Sequence, residues 1–343
     1  MNLQGIDHVE FYVGDASEEA GRLCTAYGFD VLGRAAGPGH ESVLLGQGGI
    51  RLVLTTGLTG EHPATEYVLR HGDGLATIAI GTATPDETLA EAVHQGAVPL
   101  TLAAPGERTR IAAFGDVAHT FVAPGEVEAR FGAAPTGGPA LLAAIDHVAV
   151  CVPAGDLGPT VRFYEKALGF GEIFEEYIEV GDQAMNSKVV QSPSGEVTVT
   201  ILEPDPGRHP GQIDGFIEAH GGAGVQHLAF RTDDIATAVR TFAERGVGFL
   251  TTPGSYYDEL ERRLGRVGVP LDTLRELNVL VDRDNEGELF QIFAHSTHPR
   301  RTFFVEIIER LGALTFGSAN IKALYQAVER ERARTGPGAG VPL

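Results

Sequence analysis

The sequence predicts an α+β protein of two tandem domains, each built from repeated βαβββ modules. Three observations support this fold class: a pattern of segments that occurs twice, a Pro/Gly-rich stretch between the two copies, and short apolar runs with strand-like alternation. The chain has 343 residues, more than a typical single domain. Two domains are therefore the starting expectation.

The repeated pattern consists of three matches in the same order. Each copy opens with Ile-Asp-His-Val at the start of an apolar strand, continues through a helix-like stretch that ends at a Gly-Phe pair, and reaches a second strand that begins with Gly-x-Gly. The matched segments are 6–9 with 145–148, 28–29 with 169–170, and 72–80 with 222–230. This shared order favours a gene duplication.

A linker is predicted over residues 133–139, Ala-Ala-Pro-Thr-Gly-Gly-Pro, because this stretch is rich in Pro and Gly and has no periodicity. We therefore place an N-terminal domain over 1–132 and a C-terminal domain over 140–343. The C-terminal domain shows the clearer element signals. These are strands over 196–204, 225–232 and 301–310, a helix over 234–246, a hairpin over 278–293, and a tail helix over 321–334.

The composition is acidic, with 46 acidic against 26 basic residues and a formal net charge of -20. Such a field repels nucleic acid and anionic membrane surfaces. The chain has only two cysteines, Cys24 and Cys151, so no disulfide framework is expected. It shows neither a signal-peptide pattern nor an apolar run long enough to span a bilayer. We therefore expect a cytoplasmic protein without a nucleic-acid or membrane partner.

Three polar residues interrupt apolar strands of the second half: His147, His227 and Glu306. A charged Glu in such a strand costs several kcal/mol unless it is paired or binds a metal. Two histidines and one carboxylate on separate strands form the facial triad of non-haem Fe(II) oxygenases. Taken alone, each residue is better explained as a hydrogen-bonded core or edge residue, and residue type alone does not exclude Zn or Mn.

The first half supplies the comparison that favours a metal site. His8 occupies the repeat position of His147, but Thr77 stands where His227 stands. No counterpart of the strand around Glu306 is recognisable in the first half, so we predict an N-terminal domain without a metal site. His119, His295 and His298 lie in polar or turn segments and are predicted to be solvated.

Several long segments of the second half carry a family resemblance: IDHVAV, GAGVQHLAF, TTPGSYYDEL, LVDRDNEGELFQIF, FFVEIIER and TFGSANIKALYQAVE. They resemble the family of 4-hydroxyphenylpyruvate dioxygenase and 4-hydroxymandelate synthase, of the vicinal oxygen chelate superfamily. The resemblance implies an open barrel in the C-terminal domain around Fe(II), held by His147, His227 and Glu306. It also implies 4-hydroxyphenylpyruvate and O2 as substrates, and oxidative decarboxylation as the first stage.

The resemblance further implies a set of pocket residues. They are Ser187, Thr200, Leu202, Gln212, Gln226, Gln291, Phe293, Phe316, Asn320 and Ile321. Three positions depart from the dioxygenase pattern, and two of them should let the substrate ring sit differently: Leu202 replaces an asparagine, and Ile321 replaces a phenylalanine. The helix that starts at Ile321 is expected to form a lid over the pocket.

These departures resemble the branch that hydroxylates the benzylic carbon and releases 4-hydroxymandelate, as in antibiotic biosynthesis. Drift at apolar pocket positions is the alternative explanation, and homogentisate would then be the product. A protein of this fold that binds a ligand without catalysis is a more distant alternative. The first half leaves a surface for assembly into a homo-oligomer, a state that the sequence does not decide.

Overall fold

The computed structural model describes residues 1–100, 108–133, 140–314, 316–317, 320 and 322. These residues form a mixed α+β structure with two sheets, one from each half of the chain. The predicted fold class is therefore confirmed. Within these ranges, no helix is long and apolar enough to cross a membrane.

The described part of the first half forms a seven-stranded sheet with helices packed against both of its faces. Its strands follow the order β2-β3-β4-β1-β5-β7-β6. The elements are β1 (Leu3–Tyr12), α1 (Ala16–Tyr27), β2 (Asp30–Gly37), β3 (His40–Gln47), β4 (Ile50–Gly57), α2 (Pro63–His71), β5 (Gly74–Thr82), α3 (Pro85–His94), β6 (Arg110–Phe114), β7 (Val117–Val122) and α4 (Glu126–Phe131).

The described part of the second half forms an eight-stranded sheet. Its order, β13-β14-β15-β12-β8-β11-β10-β9, repeats that of the first sheet and adds β13. The elements are β8 (Ala144–Cys151), α5 (Leu157–Leu168), β9 (Gly171–Val180), β10 (Gln183–Gln191), β11 (Thr198–Pro204), α6 (Gln212–His220), β12 (Gly224–Arg231), α7 (Ile235–Glu244), α8 (Gly254–Leu264), α9 (Leu271–Leu277), β13 (Leu280–Arg283), β14 (Glu288–Phe293) and β15 (Phe304–Leu311).

One prediction about the first half is wrong, because a counterpart of the Glu306 strand exists. Strand β7 pairs parallel with β5 just as β15 pairs parallel with β12. The register places Thr120 opposite Ala79, and Glu306 opposite Ala229. The duplication therefore kept the strand, while Thr120 now occupies the position of the carboxylate.

Local sequence explains where the helices that cover these sheets begin and end. The Asp15 side chain accepts hydrogen bonds from the backbone at the start of α1, and Gly28 ends that helix in the left-handed conformation. Asp234 caps α7 in the same way. The apolar sides of these helices and the facing strand residues form one buried cluster that includes residues of both halves.

Most second-half predictions agree with the structure. The predicted hairpin is formed by β13 and β14. Strands β11, β12 and β15 and helix α7 lie within or next to their predicted ranges. The tail helix over 321–334 lies outside the described residues. In the sequence, the strands of one sheet precede the predicted linker and those of the other follow it. The domain bounds themselves stay predictions.

Two predictions about histidines are wrong. His119 is fully buried, and its Nε2 lies 2.9 Å from the Tyr164 hydroxyl. His298 is also buried, with its Nδ1 3.1 Å from the Asp73 carbonyl oxygen. Both histidines lie between elements of the two halves and are covered there.

Candidate metal centre

Three adjacent strands of the second sheet bring His147, His227 and Glu306 together. They are β8, β12 and β15, neighbours in the middle of the sheet. Ala229 of β12 is the register partner of both His147 and Glu306, and His227 lies two residues before it on the same strand. Since alternate residues of a strand share a face, all three side chains point to one side. We call this side, which the curled sheet encloses, the inner face.

The three side chains converge on one point. The Nε2 atoms of His147 and His227 lie 3.4 and 3.3 Å from Glu306 Oε2. The three candidate ligand atoms all lie within 4.8 Å of one another, and all three residues are buried. Metal–ligand bonds of about 2.0–2.2 Å would place neighbouring ligand atoms about 3 Å apart. The donor set therefore fits one divalent metal ion.

The charges of the group favour a cation at this point. Burial raises the pKa of Glu306, but the two histidines outweigh it and hold that pKa at about 2. Burial lowers the pKa of His147, yet Glu306 and Asp146 raise it to about 9. The pKa of His227 is lowered, mainly by burial. The metal-free site thus attracts one proton, and a metal cation can take its place.

Each candidate ligand has a partner that orients it. His147 Nδ1 donates to Asp146 Oδ1 at 2.9 Å, which leaves Nε2 free to face the centre. His227 Nδ1 lies 3.3 Å from Gln226 Oε1. Gln291 Nε2 donates to Glu306 Oε1 at 2.7 Å. The carboxylate therefore offers its other oxygen, Oε2, to the histidine side.

The hydrogen bonds continue from Gln291 to the start of the C-terminal segment. Asn320, which is completely buried, donates from Nδ2 to Gln291 Oε1 at 2.9 Å. The hydroxyl of Tyr256 on α8 lies 3.0 Å from Asn320 Oδ1. Asn320, Gln291 and Glu306 thus form one connected network, so the position of Asn320 is linked to the orientation of a candidate ligand.

Aromatic rings form the walls around the histidines. Phe304 stacks on His227 with ring centres 4.8 Å apart, and Phe293 contacts the same histidine edge-on at 6.3 Å. Phe316 packs edge-on against His147 at 5.7 Å. These walls are buried and apolar, so they keep bulk water away from the centre.

The remaining predicted pocket residues that the structure describes lie on β10, β11 and α6. Leu202 is the register partner of Ser187, and Thr200 lies on the same face as Leu202. Gln212 is the first residue of α6. All four side chains are buried, and the polar atoms of Thr200 and Gln212 have no hydrogen-bond partner among the described residues. Buried polar atoms of this kind are usually satisfied by a ligand or water.

Leu202 lies in an apolar setting within this part of the pocket. It belongs to a buried cluster with Cys151, Ile178, Val180, Met185, Ile213 and Phe216. Ile321, the other departure noted in the sequence, lies outside the described residues. The structure therefore gives a local environment for only one of the two substitutions.

Sequence reasoning missed several residues of the centre: Asp146, Tyr256, Phe304 and Arg310. Asp146 could have been found, because the Asp-His pair occurs in both copies of the repeat. Arg310 lies four residues after Glu306 on one strand, so strand alternation places both on one face. Tyr256 had no such signal, since it reaches the site from a separate helix.

Comparison with known proteins agrees with this geometry. Residues 144–263 match the sequence profile of the Glyoxalase/Bleomycin resistance protein/Dioxygenase superfamily. A 4-hydroxyphenylpyruvate dioxygenase from Yarrowia lipolytica is 32% identical, over 98% of this chain and 94% of the relative. One from Dictyostelium discoideum is also 32% identical, over 97% of this chain and 100% of the relative.

A solved structure matches along nearly the whole chain as well. It is a triple mutant of 4-hydroxymandelate synthase from Streptomyces coelicolor, with a TM-score of 0.88 and 43% identity. The match covers 96% of this chain and 100% of that one. The chain therefore belongs to the 4-hydroxyphenylpyruvate dioxygenase family of α-keto acid dioxygenases.

Proposed function

We propose that this enzyme uses Fe(II) to convert 4-hydroxyphenylpyruvate and O2 into 4-hydroxymandelate and CO2. The observation that carries the proposal is Leu202, which places an apolar side chain on the inner face where the dioxygenase pattern has an asparagine. The higher identity to the mandelate synthase, 43% against 32% for the two dioxygenases, points the same way.

Fe(II) is the metal that a site of two histidines and one carboxylate holds in non-haem oxygenases. His147, His227 and Glu306 would bind it, while Asp146, Gln226 and Gln291 keep the three ligands oriented. When bound, Fe(II) supplies the redox chemistry with O2 that no side chain of the chain can provide. The aromatic walls keep water out of the reaction, which protects reactive species from side reactions.

The reaction balances with one O2 per substrate. The bond between the carboxylate carbon and the keto carbon breaks and releases CO2. One oxygen atom enters the new carboxylate at the former keto carbon, and the other replaces a benzylic hydrogen with a hydroxyl. The four electrons that reduce O2 come from these two oxidations of the substrate.

The unpartnered atoms of Thr200 and Gln212 are the candidates for hydrogen bonds to the substrate. An apolar Leu202 offers no such bond, so the ring is held differently than it would be beside an asparagine. Small changes in substrate position alter reactivity strongly, because the reacting atoms must be within about 3–3.5 Å. We infer that this difference directs hydroxylation to the benzylic carbon.

Product analysis tests the proposal. The purified protein, loaded anaerobically with Fe(II), is mixed with 4-hydroxyphenylpyruvate and then with O2. We expect 4-hydroxymandelate as the main product, with one CO2 per O2 consumed. Homogentisate is an isomer of equal mass, so the products must be separated by chromatography against both standards. Homogentisate as the main product would contradict the proposal, and no product at all would favour a ligand-binding role.

Metal analysis tests the ligand set independently of turnover. Glu306→Ala removes a carboxylate whose negative charge and Oε2 face both histidines. We expect Fe(II) affinity to fall at least about 100-fold and turnover to be lost. Glu309→Ala, on the same strand, serves as the control and should retain one tightly bound metal. Tight Fe(II) binding by Glu306→Ala would exclude Glu306 as a ligand.

A further inference from the structure

Arg310 contacts Asp146 and Phe316, two residues that lie next to the candidate metal ligands. Its Nε and one terminal nitrogen donate to the two carboxylate oxygens of Asp146 at 2.8 and 2.9 Å. Its guanidinium also lies over the ring of Phe316, 5.2 Å from the ring centre. Both of these residues also contact His147. Asp146 lies at its Nδ1, and Phe316 packs edge-on against its ring. Arg310, Asp146, His147 and Phe316 therefore form a closed ring of contacts.

Planar, two-pronged pairing fixes the direction of a carboxylate as well as its charge. With both oxygens bound to Arg310, the Asp146 carboxylate is held in one orientation. Both of its oxygens accept hydrogen bonds from Arg310, and Oδ1 also lies 2.9 Å from His147 Nδ1. A carboxylate oxygen in these contacts acts as the acceptor, so His147 carries its proton on Nδ1. Nε2 is then the atom that faces Glu306.

The duplicated first half provides an internal comparison. Its Asp7 and His8 keep the same contact, with His8 Nδ1 2.7 Å from Asp7 Oδ1. By register Thr120 corresponds to Glu306, and four residues after it the chain has Pro124. Within the described ranges, His8 is the only ion-pair partner of Asp7. The Asp-His contact is thus common to both halves, whereas the arginine accompanies the candidate metal ligands.

We propose that Arg310 is a positioning residue, which fixes His147 for metal binding through Asp146 on one side and Phe316 on the other. The inference rests on the proposed metal-binding function and adds a requirement to it. The arginine does not contact the centre itself. It acts by keeping the ring of His147 in one orientation and its proton on one nitrogen.

Co(II) binding to the metal-free protein tests this without any turnover. Visible absorption of Co(II) reports coordination, and a titration gives the dissociation constant. Partners behind a ligating histidine typically contribute 10–100-fold to metal affinity. We expect Arg310→Gln and Asp146→Asn each to weaken Co(II) binding by about that factor and to alter the Co(II) spectrum. Because the arginine acts through the aspartate, the double variant should bind no more weakly than the weaker single variant.

Asp7→Asn is the matched control, since it alters the same Asp-His contact in the half without the triad. It should leave Co(II) binding unchanged. Arg310→Lys keeps the charge but not the two-pronged pairing, so it should also bind more weakly, and it replaces Arg310→Gln if that variant does not fold.

Three outcomes would overturn the proposal. The first is Co(II) affinity within twofold of wild type in Arg310→Gln or Arg310→Lys. The second is a double-variant loss equal to the product of the single losses, which would show that the two residues act independently. The third is wild-type protein that binds no Co(II), in which case the proposed metal-binding function fails as well. If wild type binds Co(II) and only the first or second outcome occurs, the positioning role alone is refuted.

Discussion

At the scale of single residues, Glu306 differs from other buried acids of the chain in what surrounds it. One oxygen accepts from Gln291, and the other faces two histidine nitrogens. Glu10, a buried acid of the first half, instead forms an ion pair with Arg110 at 3.1 Å and accepts a hydrogen bond from the Thr55 hydroxyl at 2.7 Å. A carboxylate that faces only histidines needs a proton or a metal, whereas one that faces arginine needs neither.

Leu202 decides the product in our proposal, and an asparagine there should shift it. Leu202→Asn, alone and with Ile321→Phe, should raise the share of homogentisate. One hydrogen bond is worth about 0.5–1.5 kcal/mol, which corresponds to a change of roughly 2–10-fold in the product ratio. The measurement is the ratio of the two products under single-turnover conditions with equal amounts of Fe(II).

Leu202→Met is the matched control, because it keeps an apolar side chain of similar volume in the same cluster. It should leave 4-hydroxymandelate as the main product. If Leu202→Asn and the combination with Ile321→Phe keep the wild-type ratio, neither residue directs the oxygen, and drift becomes the better explanation of both.

At the scale of elements, the two sheets show what a duplication preserves. Thr120 and Glu306 occupy equivalent register positions, and so do their partners Arg110 and Phe293. Where the second half has an aromatic wall beside a candidate ligand, the first half has an arginine that reaches Glu10. The corresponding face of the first sheet thus carries an ion pair between Arg110 and Glu10.

This ion pair supports a prediction about stability. Burial raises the pKa of Glu10, but Arg110 and the hydrogen bond from Thr55 outweigh it and hold the pKa below its usual value. Arg110→Leu should lower the free energy of unfolding by about 3–5 kcal/mol, because it leaves a buried charge without its nearest cation. Urea unfolding at pH 7 measures the loss.

The sign of the pH dependence follows from the lowered pKa of Glu10. The pair stabilises the fold above the unfolded-state pKa and loses that effect as pH falls through the folded-state pKa. The difference between wild type and Arg110→Leu should therefore shrink in acid. Arg240→Gln removes an exposed pair with Glu276 and should cause little change. Equal losses in both variants would contradict the prediction.

How far the sequence could lead is clear from particular residues. His147, His227 and Glu306 were recognisable because polar residues interrupt apolar strands. Strand β15 was recognisable because a carboxylate, Glu306, interrupts its apolar residues. Strand β7 was not recognisable as its counterpart, because Thr120 stands at that position and threonine is an ordinary strand residue. Tyr256 reaches Asn320 across 64 residues, and no local pattern encodes such a contact. The burial of His119 likewise depends on how the two halves pack.

At the scale of the whole molecule, the two halves share one core. Phe11 contacts Phe303, Tyr27 contacts Phe242 and Phe29 contacts Phe230, with ring centres 5.1–5.9 Å apart. His119 of β7 meets Tyr164 of α5 in the same region. Contacts of this kind mean that the halves should unfold together, so one stability applies to the whole chain.

The buried His119 gives the whole molecule a pH-dependent stability. Burial lowers the pKa of His119 to about 4, so the folded state keeps the ring neutral where the unfolded chain, with a pKa near 6.5, takes up a proton. Stability should therefore be complete above about pH 6.5 and fall as pH drops towards 4. Between pH 6.5 and 5 this residue alone should cost about 2 kcal/mol. His119→Gln removes the titration and should reduce the acid-induced decline in the free energy of unfolding, measured by urea unfolding at each pH, by that amount, even if it lowers stability at every pH. His94→Gln, at an exposed position, should retain the wild-type slope. If His119→Gln declines as steeply as wild type, other groups carry the acid sensitivity, and the His119–Tyr164 contact is not its source.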